Sequence, residues 1–344
     1  MTTPPVAPPR PPRVHSSTAT ATKGLAKAAR QAHDYAIVGI CAALFAALSI
    51  LSSAFLSSTN LLNILDQNAS IGVIAFGETI VIISSNFDLS VGSTYSLAGI
   101  IGIMLTAHIG PALASVVAIL AGSAIGVVNG GLVVLGRVHS FIATLASQYV
   151  IYGLALVVSG GVILQTSDPG FLVLGQDDGL GARYAIWCML GVALASGAVL
   201  SRSVFGKHVY GVGGNRDAAR LSGIRVGLVV VGAFAISGTT AALGGVMAAS
   251  QVGTAQAGSG TGLELAGIAS TIIGGTSIFG GEGAIWRTFL GVILLAMIGN
   301  GFDLLSLNAT YQEIAEGALI IVAVVADAWA RSRPPLLRVR LRWK

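Results

Sequence analysis

The chain has 344 residues, of which 54% are apolar and only 10% charged. A soluble domain carries roughly 25% charged residues to cover its surface, so a water-soluble globular protein is excluded. The formal net charge of +5 comes from basic residues gathered in the two tails and one internal segment, which suits an anionic membrane surface and needs no nucleic acid.

Residues 1–34 are rich in Pro, Ala and Thr and carry Arg10, Arg13, Lys23, Lys27 and Arg30. They are expected to form a disordered basic cytoplasmic tail. The apolar run that follows is longer than a signal-peptide core of about 7–15 residues. From there the chain reads as candidate membrane spans at 35–55, 68–85, 89–107, 111–135, 140–159, 184–201, 227–250, 262–275, 284–304 and 311–329. A helix of about 20 residues crosses a hydrocarbon core about 30 Å thick and satisfies its own backbone polar groups in lipid. The 46 glycines fall inside these apolar runs, where small residues let helix backbones approach closely. Cys41 and Cys188 also lie in apolar runs, and neither a disulfide framework nor a metal site is indicated. The expected fold is an all-α integral membrane protein of about ten helices. The membrane domain covers 35–330, and a second basic tail follows at 331–344.

Charge supports this layout. With the amino terminus inside and the spans alternating, 18 of the 19 basic residues fall on one side, all but Arg183. Cytoplasmic loops collect Lys and Arg, so both termini are expected inside. The outer loop at 160–183 carries Asp168, Asp177 and Asp178. An internal repeat is faintly visible. Leu97-Ala98-Gly99-Ile100 recurs as Leu265-Ala266-Gly267-Ile268, and Asn129-Gly130 recurs as Asn300-Gly301 at nearly the same offset. Two weakly similar halves are a transporter architecture. Gly122, Gly126 and Gly130 form a stripe suited to packing within the bundle or to a subunit interface.

The largest internal polar segment is 202–226. Its middle reads as a short helix, with Asn215 as N-cap, Asp217 in the first turn and Gly223 as the left-handed terminator. Ala218 and Leu221 share one face, Arg216 and Arg220 another. Such a helix can enter a partner's groove or rest on the bilayer. Two polar breaks, Ser84 to Ser93 and Gly274 to Gly283, interrupt apolar runs. Asn86, Asp88 and Ser90 in the first, and Gly274, Gly275 and Thr276 in the second, are candidates to line the inner mouth of a pathway, with Asp88 and Ser90 capping the next helix. As short cytoplasmic turns they would need no function. Glu78 lies mid-span and Glu264 near the start of a span, where it could also sit at the outer interface. Either carboxyl could bind sugar hydroxyls, bind a proton, or bond a neighbouring helix.

Several strings together carry a family resemblance. Gly213-Gly214-Asn215-Arg216-Asp217-Ala218-Ala219-Arg220-Leu221-Ser222-Gly223-Ile224 resembles the coupling segment of ribose-type ABC permeases, with Asp217 where Glu is commoner. Asp88-Leu89-Ser90-Val91-Gly92-Ser93 resembles a second element of that family. Asn129-Gly130 with Val138, Phe141, Ile142, Thr144 and Leu145 resembles a third, and Gly274-Gly275-Thr276-Ser277 with Gly280-Gly281 a fourth. The order matches over nearly the whole chain after residue 60. Ser84-Ser85-Asn86 stands where glycine is frequent, and His139-Ser140 where proline is. The resemblance implies a permease subunit of a sugar importer in a bacterial inner membrane. Its implied partners are a second permease chain (identical or paralogous), an ABC ATPase docked on Gly214, Asn215, Asp217, Ala218, Ala219, Arg220, Leu221, Ser222, Gly223 and Ile224, and an extracytoplasmic substrate-binding protein. It also implies that the solute is a monosaccharide or a related small polar molecule.

No catalytic role is expected. A phosphate-cradling loop needs Gly-x-x-x-x-Gly-Lys-Ser/Thr, and none of Lys23, Lys27, Lys207 and Lys344 precedes Ser or Thr. The chain is therefore expected to bind no cofactor itself, with ATP used by a partner. The alternatives are a branched-chain amino-acid ABC permease, a gradient-driven carrier built on Glu78, or a membrane scaffold.

Overall fold

The computed structural model describes residues 35–332. The amino-terminal tail at 1–34 and residues 333–344 of the carboxyl-terminal tail lie outside them. The described residues form helices α1 (Tyr35–Leu51), α2 (Ser58–Gln67), α3 (Ala69–Ile83), α4 (Val91–Ile109), α5 (Pro111–Leu135), α6 (Ser140–Ser159), α7 (Pro169–Gln176), α8 (Tyr184–Arg202), α9 (Val204–Gly214), α10 (Arg216–Leu221), α11 (Val226–Val252), α12 (Leu263–Ile273), α13 (Ile285–Leu304) and α14 (Ala309–Ser332). Two antiparallel strand pairs complete them. β1 (Leu164–Gln165) pairs with β4 (Thr254–Ala255), and β2 (Asp178–Gly179) with β3 (Ala182–Arg183).

Each expected span coincides with a helix. Six of these helices, α4, α5, α6, α8, α11 and α13, are long and apolar enough to cross a membrane, while α1, α3 and α12 are shorter apolar helices. The shortfall has local causes. At the end of α3 the Ser84 hydroxyl donates to Val81 O at 2.7 Å, and Ser85 takes a left-handed conformation with φ 60. Gly262, at φ 88, precedes α12, and Gly275, at φ 84, follows it.

The central seam joins α5 to α11. Gly122 and Gly126 sit where a Cβ would strike the backbone carbonyls of Gly238 and Phe234, and Gly130 faces Val231. A Cβ on Gly238 would strike Gly122 O in return. The glycine stripe therefore packs within the bundle, backbone against backbone, as lipid-embedded helices favour. α3 lies inside, with every residue but Ile71 buried. It touches α11, α12 and α8, which explains why it is apolar on all sides. α4 packs on α5, α6 and α11, and α12 packs on α13, α14 and α3. α5 and α6 leave an apolar face exposed, with Leu120, Val128, Val150 and Val157 on it.

The segment at 160–183, expected as a loop, contains α7. Asp168 caps it by accepting from Phe171 N at 3.1 Å, and Ser250 of α11 ties it down by accepting from Gly175 N at 2.8 Å. Arg183 pairs with Asp66 at 3.5 Å, and Gln251 donates to the same carboxylate at 3.1 Å.

Candidate coupling and translocation site

Helix α9 begins behind Ser203, whose hydroxyl accepts from Gly206 N at 2.9 Å. It ends at Asn215, where the backbone turns extended at φ −163. The Asn215 side chain then accepts from Ala218 N at 2.9 Å and starts α10. Asp217 occupies the first turn, and Gly223 ends the segment at φ 82. Ala219 is buried against the bundle, while Leu221 is 89% exposed. Gly214, Asn215, Asp217, Ala218, Arg220, Ser222 and Gly223 are exposed with Leu221, and Ile224 is half-buried. An apolar side chain thus projects from a capped polar helix with none of the described residues covering it.

The same segment is bound to both polar breaks. Gly213 fits where a Cβ would strike Ile83 O, and Gly281 N donates to that carbonyl at 2.8 Å. The Ser85 hydroxyl lies 2.9 Å from Gly213 O and 2.7 Å from Phe279 O, so its proton serves one or the other. Arg216 donates to Asn86 Oδ1 at 2.9 Å and to Ser85 O at 3.2 Å. Tyr210 donates to Gly283 O at 2.8 Å. Burial raises its phenol pKa above the ordinary value, which keeps it a neutral donor. Residues from α9, α10 and the two breaks therefore form one junction.

Beyond the junction the first break enters the bundle. Asp88 is buried and accepts from Ser90 N at 3.1 Å, from the Ser90 hydroxyl at 2.6 Å and from the Ser237 hydroxyl of α11 at 2.9 Å. Asn129 of α5 donates to Ser90 Oγ at 2.7 Å and accepts from Ser147 of α6 at 2.7 Å. Ser140 and Thr144, at the start of α6, accept from Phe87 N and Leu89 N at 3.1 and 3.0 Å. Of the two residues expected to cap α4, Ser90 takes the cap position without a side-chain cap bond, and Asp88 accepts from Ser90 N. The Ser90 hydroxyl already donates to Asp88 and accepts from Asn129.

The second break relies on close backbone. A Cβ on Gly274 would meet Arg287 O and the Thr288 backbone. Ser277 N donates to Glu282 O at 3.0 Å, and Gly280 N to Ser277 O at 3.0 Å. Thr276 is buried, and its hydroxyl lacks a hydrogen bond among the described residues. Above it, the hydroxyls of Thr79 and Thr288 meet at 2.7 Å between α3 and α13.

Glu78 and Glu264 are both buried. Glu264 lies in the first turn of α12, where Gln148 of α6 donates to its Oε1 at 3.1 Å while its Oε2 lacks a hydrogen bond among the described residues. Of the roles weighed for it, the structure shows a bond to a neighbouring helix. Neither oxygen of the Glu78 carboxyl has a hydrogen-bond partner among the described residues.

A family model described as the permease component of the branched-chain amino acid transport system matches residues 60–324. The chain is 37% identical over 291 residues to the ribose import permease protein of Escherichia coli strain K12, covering 83% of this chain and 90% of that one. It is 33% identical over 304 residues to the L-arabinose ABC transporter permease protein of Azospirillum brasilense, covering 88% and 90%. It is 34% identical over 293 residues to the D-allose transport system permease protein of Escherichia coli strain K12, covering 85% and 89%. The chain belongs to the ABC transporter permease family. No solved structure matches it.

The permease is thus a transport subunit and not an enzyme, a multi-pass protein of the bacterial inner membrane. A gradient-driven carrier and a scaffold are set aside with that membership. The matched region contains every candidate site residue. The structure brings Asn215 together with Asn86 through their shared neighbour Arg216, and Asp88 with Ser90. Gly274, Gly275 and Thr276 lie in the second break, against α13. Sequence reasoning missed Ser85, Tyr210, Gln148, Ser147 and Ser237. Of these, Ser85 left a signal, since it stands where the family is often glycine and it adopts a positive φ.

Proposed function

We propose that the permease carries a monosaccharide across the inner membrane as one half of an ATP-driven importer. The ribose, arabinose and allose permeases among its relatives support this substrate class. A separate ABC ATPase binds and hydrolyses ATP and docks on Asn215 to Ile224. A second permease chain completes the pathway, and an extracytoplasmic binding protein delivers the sugar.

The observation that carries the reading is the junction. α10 offers exposed Leu221 to a partner while Arg216 grips the first break, and α9, just before it, packs on the second. A push on α10 would therefore reach both breaks at once. Asp88, Ser90 and Asn86 in one break, and Gly274, Gly275 and Thr276 in the other, would move with it at the inner mouth. Glu78 and Glu264 are buried within the bundle, where their carboxyls would accept from sugar hydroxyls.

In this reading the domain at 35–330 holds ten spans with both basic tails inside. The parallel surroundings of α4 and α12 support two similar halves. α4 packs on α5, α6 and α11, and α12 packs on α13, α14 and α3. Each set contains the two helices that follow, plus one from the other half.

Copurification from native membranes tests the docking. The unaltered chain is expected to bring down an ATP-hydrolysing subunit, and Leu221→Asp to lose both that subunit and uptake. Retention of both in the variant would rule out α10 as the dock.

A further inference from the structure

A cavity of about 330 Å³ lies away from the junction, between the α2–α3 corner, α12, α13 and α14. Its polar lining includes Gln67, Asn68, Asn300, Asp303, Gln312 and Glu316. Ile71, Val292 and Leu295 supply an aliphatic wall, and no Lys, Arg or His is among the described lining residues.

The polar groups are set in place by one another. Asn300 and Asn60 exchange amide hydrogen bonds of 3.0 and 2.8 Å. Gln312 donates to Glu316 at 2.8 Å along α14. A primary amide has two N–H donors and two lone pairs, so these bonds fix Asn300 and Gln312 yet leave capacity on each for a ligand. Gly299 makes room for Gln312, since a Cβ there would come within 3.0 Å of its Nε2.

We infer that this cavity is a way station for one neutral polyol, a single monosaccharide ring; this rests on the importer reading above. Amides and carboxylates in alternation match neighbouring sugar hydroxyls, each both donor and acceptor. The aliphatic wall suits the C–H face of a ring. Two acids without a cation oppose the carboxylate of an amino acid. The volume lies at the low end of small-molecule sites, which run about 300–1,000 Å³, and so admits one ring rather than two.

The test is uptake by the intact importer in native membrane vesicles, with labelled D-ribose, L-arabinose, D-allose and leucine as probes. Gln312→Leu is expected to lower sugar uptake by about tenfold and to change the ratio of pentose to hexose carried. The isosteric Glu316→Gln, which threatens folding least, is expected to shift the same ratio with a smaller loss. In both variants the ATPase subunit should still copurify and its basal hydrolysis should be unchanged. Loss in equal proportion for all sugars, or no loss, overturns the cavity assignment. If the unaltered chain carries leucine and none of the sugars, the importer reading itself fails, whatever the variants do.

Discussion

The two polar breaks occupy similar places, between a short apolar helix and a longer one, yet they are held differently. The first is fixed by side chains from other helices: Ser140 and Thr144 of α6, Asn129 of α5, Ser237 of α11 and Arg216 of α10. The second is shaped mainly by its own glycines, with Gly275, Gly280 and Gly281 at positive φ, and meets outside side chains at its carbonyls, Tyr210 at Gly283 O and Ser85 at Phe279 O. One is a braced block and the other a chain of backbone turns. A displacement of α10 should therefore carry the first break as a unit and bend the second.

That contrast can be broken most severely at Asp88. Asp88→Leu would leave the hydroxyls of Ser90 and Ser237 buried without their acceptor, each at a cost of about 1–3 kcal/mol. A large fall in the thermal midpoint of the detergent-purified chain is expected, and an unchanged midpoint would mean the block is not braced through this carboxylate. Gly281→Ala should act next. A left-handed non-glycine residue costs about 1–2 kcal/mol, and the added Cβ would come within 2.8 Å of Gly214 Cα. Uptake should fall while the ATPase subunit remains bound, as simultaneous uptake and ATPase recovery would record. Loss of the ATPase as well would show the second break to be part of the dock.

Arg216→Ala tests the joint between α10 and the braced block. It removes two hydrogen bonds at the surface, so folding should survive and sugar transported per ATP hydrolysed should drop. An unchanged ratio would leave Tyr210 and Gly213 as the connection. The smallest effect is expected from Glu78→Gln, which keeps shape and removes only the ability to ionise. Uptake should stay measurable across pH, and its complete loss with normal ATPase binding would reopen proton coupling.

Legibility in the sequence followed the range of the interactions. The coupling helix was readable because its signals are local: Asn215, Asp217 and Gly223 act on their own turn. The spans were readable because apolar runs are long. Their ends at α3 and α12 were readable to within two residues, because polar and glycine residues break the apolar runs where Ser85 and Gly275 turn left-handed. The bracing of Asp88 was not readable at all. Ser237 and Ser147 are single hydroxyls on apolar helices, and nothing near them in sequence marks the partner that lies 149 positions from Ser237.

The α5–α11 seam sets a mechanical limit on all of this. Where main chain rests on main chain, no side chain remains to swing aside, so the joint has no slack. The two helices can travel only as a single strut. Any rearrangement that opens a passage through this protein must be taken up at its margins, by the elements that meet through flexible side chains or glycine turns.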